Sequence, residues 1–359
     1  MAEHRQSPDP ILPQPNFSIA PDGTVTIDSK DYEEMLAFCM DELGQTHFFF
    51  PRVGGAWYTN CYWLWHNPMV LKERWYGAQI LDEQLAPTAK FQAAFGSYVK
   101  QMMARFEAKG WADRVYMTTM DEPHKVEDMT AVRNVADFVH SVAPKVRRFC
   151  TTYPRPGLLG AIDAWCPQQY DEELVKQRQA NGEQLMFYKN WLHLIDMPMV
   201  NPRLQGWIAW KIRAVGWLTY ATMGRWDRAW DEPYVTYANH GIRAWGLGLF
   251  WYPDLLRPRI LKSVRWEMMR EGAEDYEYLA LLAKRLKSIP DAQRQTHAAK
   301  AAQAFLETAA NQVVLCPGVF PCGRKDEWLD KPNYTQSNRV PWELRNAAAH
   351  HIAALAQEP

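Results

Sequence analysis

Val115-Tyr116-Met117-Thr118-Thr119-Met120-Asp121-Glu122-Pro123 decides how this chain is read. Apolar and β-branched residues in unbroken succession suit a strand buried on both faces, as in a parallel sheet, and two carboxyls follow where that strand exits. Adjacent residues of a regular strand point to opposite faces, so Asp121 and Glu122 can share a site only where the strand has ended and the backbone has turned. Pro123 favours such a turn. Two carboxyls held close cannot both ionise freely, so one keeps its proton and can act as a general acid beside a charged partner. The alternative is that Asp121 caps the following helix, with Pro123 in its first turn and Glu122 solvated. From these residues alone the two readings weigh evenly.

Outward from this stretch, short apolar or aromatic runs at 46–50, 76–81, 147–152, 162–166, 184–188, 216–221 and 246–251 join 114–120 as eight strand candidates. Helical periodicity falls between them at 87–109, 127–142, 170–181 and 202–213. Such alternation means a parallel sheet. With no GxGxxG fingerprint, eight units favour an α/β fold of the closed (β/α)8 TIM-like type over a doubly wound sheet. The gap between 147–152 and 162–166 has no room for a full helix, so the barrel is expected to be irregular there. In such a barrel the strand exits carry the chemistry, and 51–67, 121–127, 153–157, 168–170, 189–193, 222–232 and 252–256 converge on one face as long, aromatic loops.

Helices are also expected at 258–287, near 296–311, and in the Ala-rich terminus that carries His350 and His351. Ahead of the barrel, a strand at 24–27 leads through Asp28 or Ser29 as N-cap into a helix whose apolar face is Tyr32, Met35, Leu36, Cys39 and Leu43, ended by Gly44. Residues 1–16 carry Pro8, Pro10, Pro13 and Pro15 and read as an extended Pro-rich arm. That leaves 17–359 as a single (β/α)8-type domain that includes the C-terminal helices.

Lys plus Arg number 40 against 41 acidic residues, and a net charge of −1 gives no general attraction to nucleic acid or an anionic membrane. Neither is expected as a partner. The residues from Met1 to Pro8 lack the apolar stretch of a secretory signal, and no apolar run reaches membrane-spanning length. The expectation is a soluble chain, slightly favouring the cytoplasm, with export left open. Cys39, Cys61, Cys150, Cys166, Cys316 and Cys322 contain no C-x-x-C pair; Cys316 and Cys322 are spaced to close a small loop or to remain thiols. His350-His351 lacks the H-x-x-x-H spacing of a zinc site, and Gly54-Gly55 and Gly246-x-Gly248 lack the lysine of a phosphate loop. No metal, nucleotide or other cofactor is expected.

The compositional anomaly is aromatic: 17 Trp, 16 Tyr and 14 Phe. A Trp face suits a stacked sugar, although most such rings simply fill a large core. The run Trp57-Tyr58-Thr59-Asn60-Cys61-Tyr62-Trp63-Leu64-Trp65-His66 is too aromatic for an ordinary solvated loop. Trp63 and Trp65 within it read as a subsite wall or as a loop packed over the barrel mouth or against another subunit. Trp191, Trp226, Trp230, Trp251 and Tyr252 stand at other exits, where one or two rings would face a pyranose. Exposed Trp equally suits an interface, which leaves a homo-oligomer open.

Further along, Gly246-Leu247-Gly248-Leu249-Phe250-Trp251-Tyr252-Pro253 leads into Ser263-Val264-Arg265-Trp266-Glu267-Met268-Met269-Arg270-Glu271-Gly272-Ala273-Glu274-Asp275-Tyr276-Glu277-Tyr278-Leu279. Together with Asp121-Glu122-Pro123, these resemble the catalytic barrel of glycoside hydrolase family 123 and its wider DUF4091 relatives. The likeness runs from about Asp22 to Leu286. The family's usual β-sandwich domain has no room ahead of it in this chain. The resemblance implies a retaining exo-β-N-acetylgalactosaminidase in which the sugar's 2-acetamido oxygen attacks its own anomeric carbon. Glu122 would then protonate the leaving oxygen and later activate water, while Asp121 orients the acetamido N–H. A contiguous pair is compatible with retention in a substrate-assisted enzyme.

Two positions depart from the family pattern. Leu247 stands where relatives carry the Asp of Gly-Asp-Gly, and Tyr220 stands where they carry Trp. Tyr220 is placed to wall an acetamido pocket, whereas loss of the Asp loosens the sugar assignment. The alternatives are a glycosidase of the same scaffold with another sugar specificity and a non-catalytic carbohydrate-binding barrel. An oligosaccharide or glycoconjugate is the expected partner in each case. Arg265, Arg270, Glu274 and Asp275 read as ion pairs that hold their helix on the barrel, outweighing a catalytic set.

Overall fold

The computed structural model describes residues 1–9, 11–51, 74–75, 78–168, 172–237, 242–315 and 333–357. They form two compact units: Met1–Ala2, Gln6–Pro167 and Arg178–Gln184 in the first, and Glu3–Arg5, Gln168–Gln177 and Leu185–Pro359 in the second.

In the first unit β1 (Asn16–Ile19) and β2 (Val25–Asp28) make an antiparallel hairpin, followed by α1 (Lys30–Ala37) and β3 (Phe48–Phe49). Ser29 is the N-cap of α1, and the helix continues as a π turn to Glu42 before Gly44 takes a left-handed φ of +68°. β4 (Arg74–Trp75) and β5 (Ala78–Gln79) form a short antiparallel pair where a barrel strand over 76–81 was expected. Then come α2 (Ala89–Ala108), β6 (Val115–Met120), α3 (Val126–Val142), β7 (Arg147–Cys150) and β8 (Ala164–Trp165).

All six residues of β6 are buried, as its unbroken apolar run requires, because β3 pairs with it on one side and β7 on the other, both parallel. β8 adds to β7, again parallel. The aromatic rings of Phe48 and Phe50 meet Phe106 of α2 edge-on at 5.0 and 5.9 Å, so the helix seats on the sheet through interlocked rings.

α4 (Glu172–Ala180) leads to β9 (Gln184–Tyr188), whose first amide donates to Asp163 O at 2.8 Å. In the second unit the rest of β9 pairs in parallel with β10 (Gly216–Leu218), after α5 (Leu204–Ile212). Two antiparallel hairpins follow, β11 (Tyr234–Tyr237) with β12 (Ile242–Trp245), and β13 (Trp251–Pro253) with β14 (Ile260–Lys262). The helices α6 (Val264–Ser288), α7 (His297–Thr308) and α8 (Arg339–Gln357) complete it.

Six strands therefore run parallel to a neighbour among the described residues, and the fold is mixed α/β. The eight parallel strands of a closed (β/α)8 barrel are not all present among these residues. Most of the expected strand at 246–251 is instead a turn, since Gly246 and Gly248 have φ of +73° and +66°; Leu249 makes an isolated bridge to Met223, and of these residues Trp251 alone belongs to a strand, β13. Backbone in that region cannot continue an extended ladder. α6 begins at Val264 rather than 258 because Ile260–Lys262 is engaged with β13, and Ser263 caps the helix by accepting from the Trp266 amide.

The long helix α6 lies on α5 at backbone contact. A Cβ on Gly206 would stand 1.8 Å from Gly272 O, and one on Gly272 would stand 2.3 Å from Arg203 O. One helical turn on from Gly272, the buried Asp275 carboxylate accepts from Arg203 at 2.7 and 2.8 Å and from the Trp207 indole at 2.8 Å. Arg345 of α8 lies 3.1 Å from it and also donates to Glu274 at 2.8 Å. The expected ion pairs of Glu274 and Asp275 are thus formed, and Arg270 reaches Glu267 and Glu274 at 3.4 and 3.7 Å.

Gly272→Ala is expected to lower unfolding stability by about 3 kcal/mol or more, because the added methyl meets backbone that cannot rotate away. Urea denaturation of the variant beside Ala273→Gly, which removes a methyl instead, separates this clash from a simple propensity effect.

Candidate functional site

The acidic pair sits where β6 leaves the sheet, and two local irregularities put it there. Thr118 pairs with Phe149 and Met120 with Cys150, so Thr119 is an extra residue bulged out of the ladder, its hydroxyl donating to Phe149 O at 3.0 Å. A bulge at a strand end bends the chain and re-aims the side chains beyond it. Glu122 then takes a left-handed φ of +45°, uncommon for a residue with a Cβ. This is the turn that two adjacent carboxyls need in order to serve one place.

Thr151, one residue past β7, fixes both. Its hydroxyl donates to Asp121 Oδ1 at 2.5 Å and accepts the Glu122 amide at 2.9 Å. The Glu122 side chain is 25% exposed, with His124 Nε2 4.0 Å from its Oε2. Asp121 does not cap α3. That role falls to Asp128, whose Oδ2 accepts the amides of His124 and Lys125 at 3.1 and 2.9 Å. Cys150 and Cys166 are fully buried, and burial, helped by the Asp121 charge, pushes both thiols well above their usual range. Neither is a thiolate nucleophile.

Thr151 and His124 were absent from the sequence expectation. Only the register of β7 against β6 brings Thr151 beside Asp121, and a hydroxyl in Cys150-Thr151-Thr152 gives no signal of that register.

The other expected contact residues that can be described lie in the second unit. Tyr220 is 56% exposed, and its amide donates to Asn190 Oδ1 at 3.2 Å. Its ring lies against Gly248, where a Cβ would stand 2.9 Å from Tyr220 Cδ1. Gly248 O in turn accepts the Gly224 amide at 2.8 Å, while Thr222 O accepts those of Phe250 and Trp251 at 2.9 and 3.2 Å. Two loops are thereby stitched into one surface. Tyr252 meets Trp230 at 4.8 Å between ring centroids, and Trp251 meets Trp266 edge-on at 5.2 Å. Trp226 opens a short 3-10 turn, Trp226–Arg228, and is half-buried. Trp191 packs against the cluster of Leu194, Ala244 and Leu247. Leu247 is thus a core side chain in this protein. Trp63 and Trp65 lie outside the described residues, as does the whole 57–66 segment.

Arg265 holds this surface from beneath, and not through the ion pair expected of it. Its buried guanidinium donates to the carbonyls of His193, Gly246 (2.9 Å) and Leu249 (2.6 Å) and to the Tyr252 hydroxyl (3.1 Å). Carbonyls can satisfy such a cation where, among the described residues, no carboxylate pairs with it, and here two of the three belong to the Gly246–Leu249 turn itself. A Cβ on Gly246 would stand 2.8 Å from Arg265 Nη1. The two glycines of Gly246-x-Gly248 thus have distinct duties: one admits the guanidinium, the other admits the Tyr220 ring.

The family model for the glycoside hydrolase 123 catalytic domain matches residues 16–282. A family 123 glycoside hydrolase from Clostridium perfringens, whose structure was solved to explain glycolipid glycan hydrolysis, is similar at a TM-score of 0.56 and 14% identity. The match covers 96% of this chain and 59% of that one, so the present chain spans less than two thirds of the neighbour's length. At this identity the likeness shows the fold alone. A comparison with curated proteins gives no match.

Thr151→Val keeps the side-chain volume but deprives Asp121 of its donor and the Glu122 amide of its acceptor. A loss of about 1–3 kcal/mol in denaturant stability is expected, with Thr151→Ser retaining most of it.

His193 gives a separate pH signature. It is buried among Gln205, Phe250 and Arg265, and burial, with the Arg265 charge, depresses its pKa to about 3 from 6.5. Between those values the unfolded chain binds a proton that the folded chain does not. Its contribution is therefore complete above about pH 6.5 and declines by about 1.4 kcal/mol per unit as pH falls towards 3. In His193→Asn, stability measured from neutral pH down to about pH 4 should fall less steeply by that amount.

Proposed function

Because the chain belongs to glycoside hydrolase family 123, we propose that it hydrolyses a β-linked 2-acetamido sugar with retention, as an exo-β-N-acetylgalactosaminidase-like enzyme in which the substrate supplies its own nucleophile. The observation that carries this reading is the single Thr151 hydroxyl engaged by both Asp121 Oδ1 and the Glu122 amide. An adjacent pair tied to one anchor keeps a fixed relation between a proton donor and an acetamide acceptor, and such pre-organisation is what substrate assistance needs.

Glu122 protonates the glycosidic oxygen as the bond to the anomeric carbon breaks. The acetamido oxygen forms the new bond to that carbon, closing an oxazolinium ring, while Asp121 accepts the acetamido N–H and offsets the developing positive charge. Water then attacks the same carbon, giving its proton to Glu122, and the ring reopens with the original configuration. Tyr220, Trp191, Trp226, Trp251, Tyr252, Trp63 and Trp65 are proposed as the sugar-contacting residues. Glycolipid glycans, the subject of work on the Clostridium perfringens neighbour, are the first substrate class to try.

A second reading, a glycosidase of this scaffold with another sugar specificity, is favoured by Leu247. Its side chain is buried with Leu194 and Ala244, so no carboxylate from this position is available to a sugar hydroxyl.

Glu122→Gln should reduce turnover of aryl N-acetyl-β-galactosaminide by about 10²–10⁴-fold with the fold intact. An N-acetyl-thiazoline analogue should inhibit the wild type, and Asp121→Asn should weaken that inhibition. Cleavage of plain β-galactoside or β-glucoside with no effect of the thiazoline would favour the second reading. Turnover undiminished in Glu122→Gln would remove Glu122 as the acid, and binding of oligosaccharide without any cleavage would leave a carbohydrate-binding barrel.

A further inference from the structure

The β13–β14 hairpin of the second unit ends in Asp254-Leu255-Leu256-Arg257-Pro258-Arg259, and its tip is built to hold two leucines in water. Leu255 is 77% and Leu256 92% exposed. This exposure does not come from a slack loop. Asp254 Oδ1 accepts the Leu256 amide at 3.0 Å, Asp254 Oδ2 accepts Arg259 Nε at 2.5 Å, and the Asp254 amide donates to Arg259 O at 3.1 Å. The Arg259 amide closes the turn on Arg257 O at 2.7 Å.

The base of the hairpin is anchored as firmly. Trp230 Nε1 donates to Pro253 O at 2.8 Å while its ring, 49% exposed, lies on Tyr252, whose hydroxyl accepts from the buried Arg265. Water gains nothing from two ordered leucines, so a rigid display of them calls for an apolar environment that they enter.

The flanking charges say which environment. Of the cations on the hairpin, Arg259 pairs with Asp254 and Lys262 lies 3.5 Å from Glu3, which leaves Arg257 beside the leucines. Arg257 forms no ion pair among the described residues. Leucines at a tip, an arginine without an ion pair next to them, and an indole at the neck with its N–H satisfied match the layers of a lipid interface: acyl chains, anionic headgroups and the boundary between them. A protein partner of ordinary size would need a broad patch of about 800 Å² on each side, whereas the exposed aliphatic side chains of this hairpin are Leu255, Leu256 and Ile260.

From this arrangement we infer that the hairpin tip docks the protein on an anionic lipid surface, Leu255 and Leu256 entering the acyl boundary and Arg257 meeting headgroup phosphate. The whole-chain charge of −1 gives no sign of this because Arg257 is a local charge on an exposed tip. The inference is independent of the glycosidase reading and needs no turnover to test.

Flotation of the full chain with vesicles of phosphatidylcholine alone, and with vesicles of equal parts phosphatidylcholine and phosphatidylglycerol, decides it. The wild type should float with the mixed vesicles and less with phosphatidylcholine alone, the difference shrinking as salt is raised. Leu255→Ser with Leu256→Ser should cut the bound fraction about tenfold or more while the thermal melt stays unchanged. Arg257→Glu should weaken binding to the mixed vesicles and not to phosphatidylcholine. A wild type that stays in solution with both vesicles, or a double-serine variant that floats like it, overturns the proposal. So does a wild type that never floats but forms a concentration-dependent dimer abolished by the same two serines, which would make a second copy the occupant.

Discussion

The Asp275 carboxylate is the interaction on which the second unit depends. It has no exposed surface, and burial alone raises its pKa, yet Arg203 and Trp207 at the start of α5 and Arg345 of α8 surround it with donors from two separate segments. An ion in such a place is stable only while all its partners stay, so α5, α6 and α8 are held as a set. The contact is possible because Gly206 and Gly272 let the helix backbones meet. A larger residue at either position would move Arg203 and Asp275 apart together. Gly272 and Asp275, the most recognisable part of the sequence signature in α6, are therefore structural in this protein. The machinery proposed for chemistry lies elsewhere in the chain.

Much of the fold was legible, and what was missed follows a physical pattern. β6 was readable because burial on both faces writes an unbroken apolar run, and β9 matched its expected bounds because Leu185, Phe187 and Tyr188 are core residues. Helices with strong apolar faces, such as α2 and α3, were found to within two residues. The failures fall on glycine and on local pairing. Residues 246–251 have the composition of a strand, yet two glycines at positive φ turn 246–249 into a cradle for Arg265 and Tyr220 and leave only Trp251 to a strand. Ile260–Lys262 has helical neighbours and pairs with β13 instead. Neither outcome depends on hydrophobicity, so a periodicity argument cannot see it.

The candidate site shows the same division. Asp121 and Glu122 could be singled out because adjacent carboxyls at a strand exit are chemically unusual. Their common anchor could not, because Thr151 acquires its meaning from the register of β7 and from the bulge at Thr119. Sequence names a candidate pair more readily than its anchor, since anchoring is a property of pairing between distant segments. The Leu247 position carries a related lesson: between two glycines at positive φ its side chain turns inward onto Leu194 and Ala244, a destination that the local sequence does not reveal.

The left-handed backbone at Glu122 has a thermodynamic consequence of its own. A residue with a Cβ at φ +45° costs about 1 kcal/mol or more relative to glycine, which occupies that region freely. Drift left to itself would relax this position towards Gly or Asn and gain stability by doing so. At Glu122, then, backbone stability and a carboxylate at this turn pull in opposite directions, and a glycine there would gain the first by giving up the second.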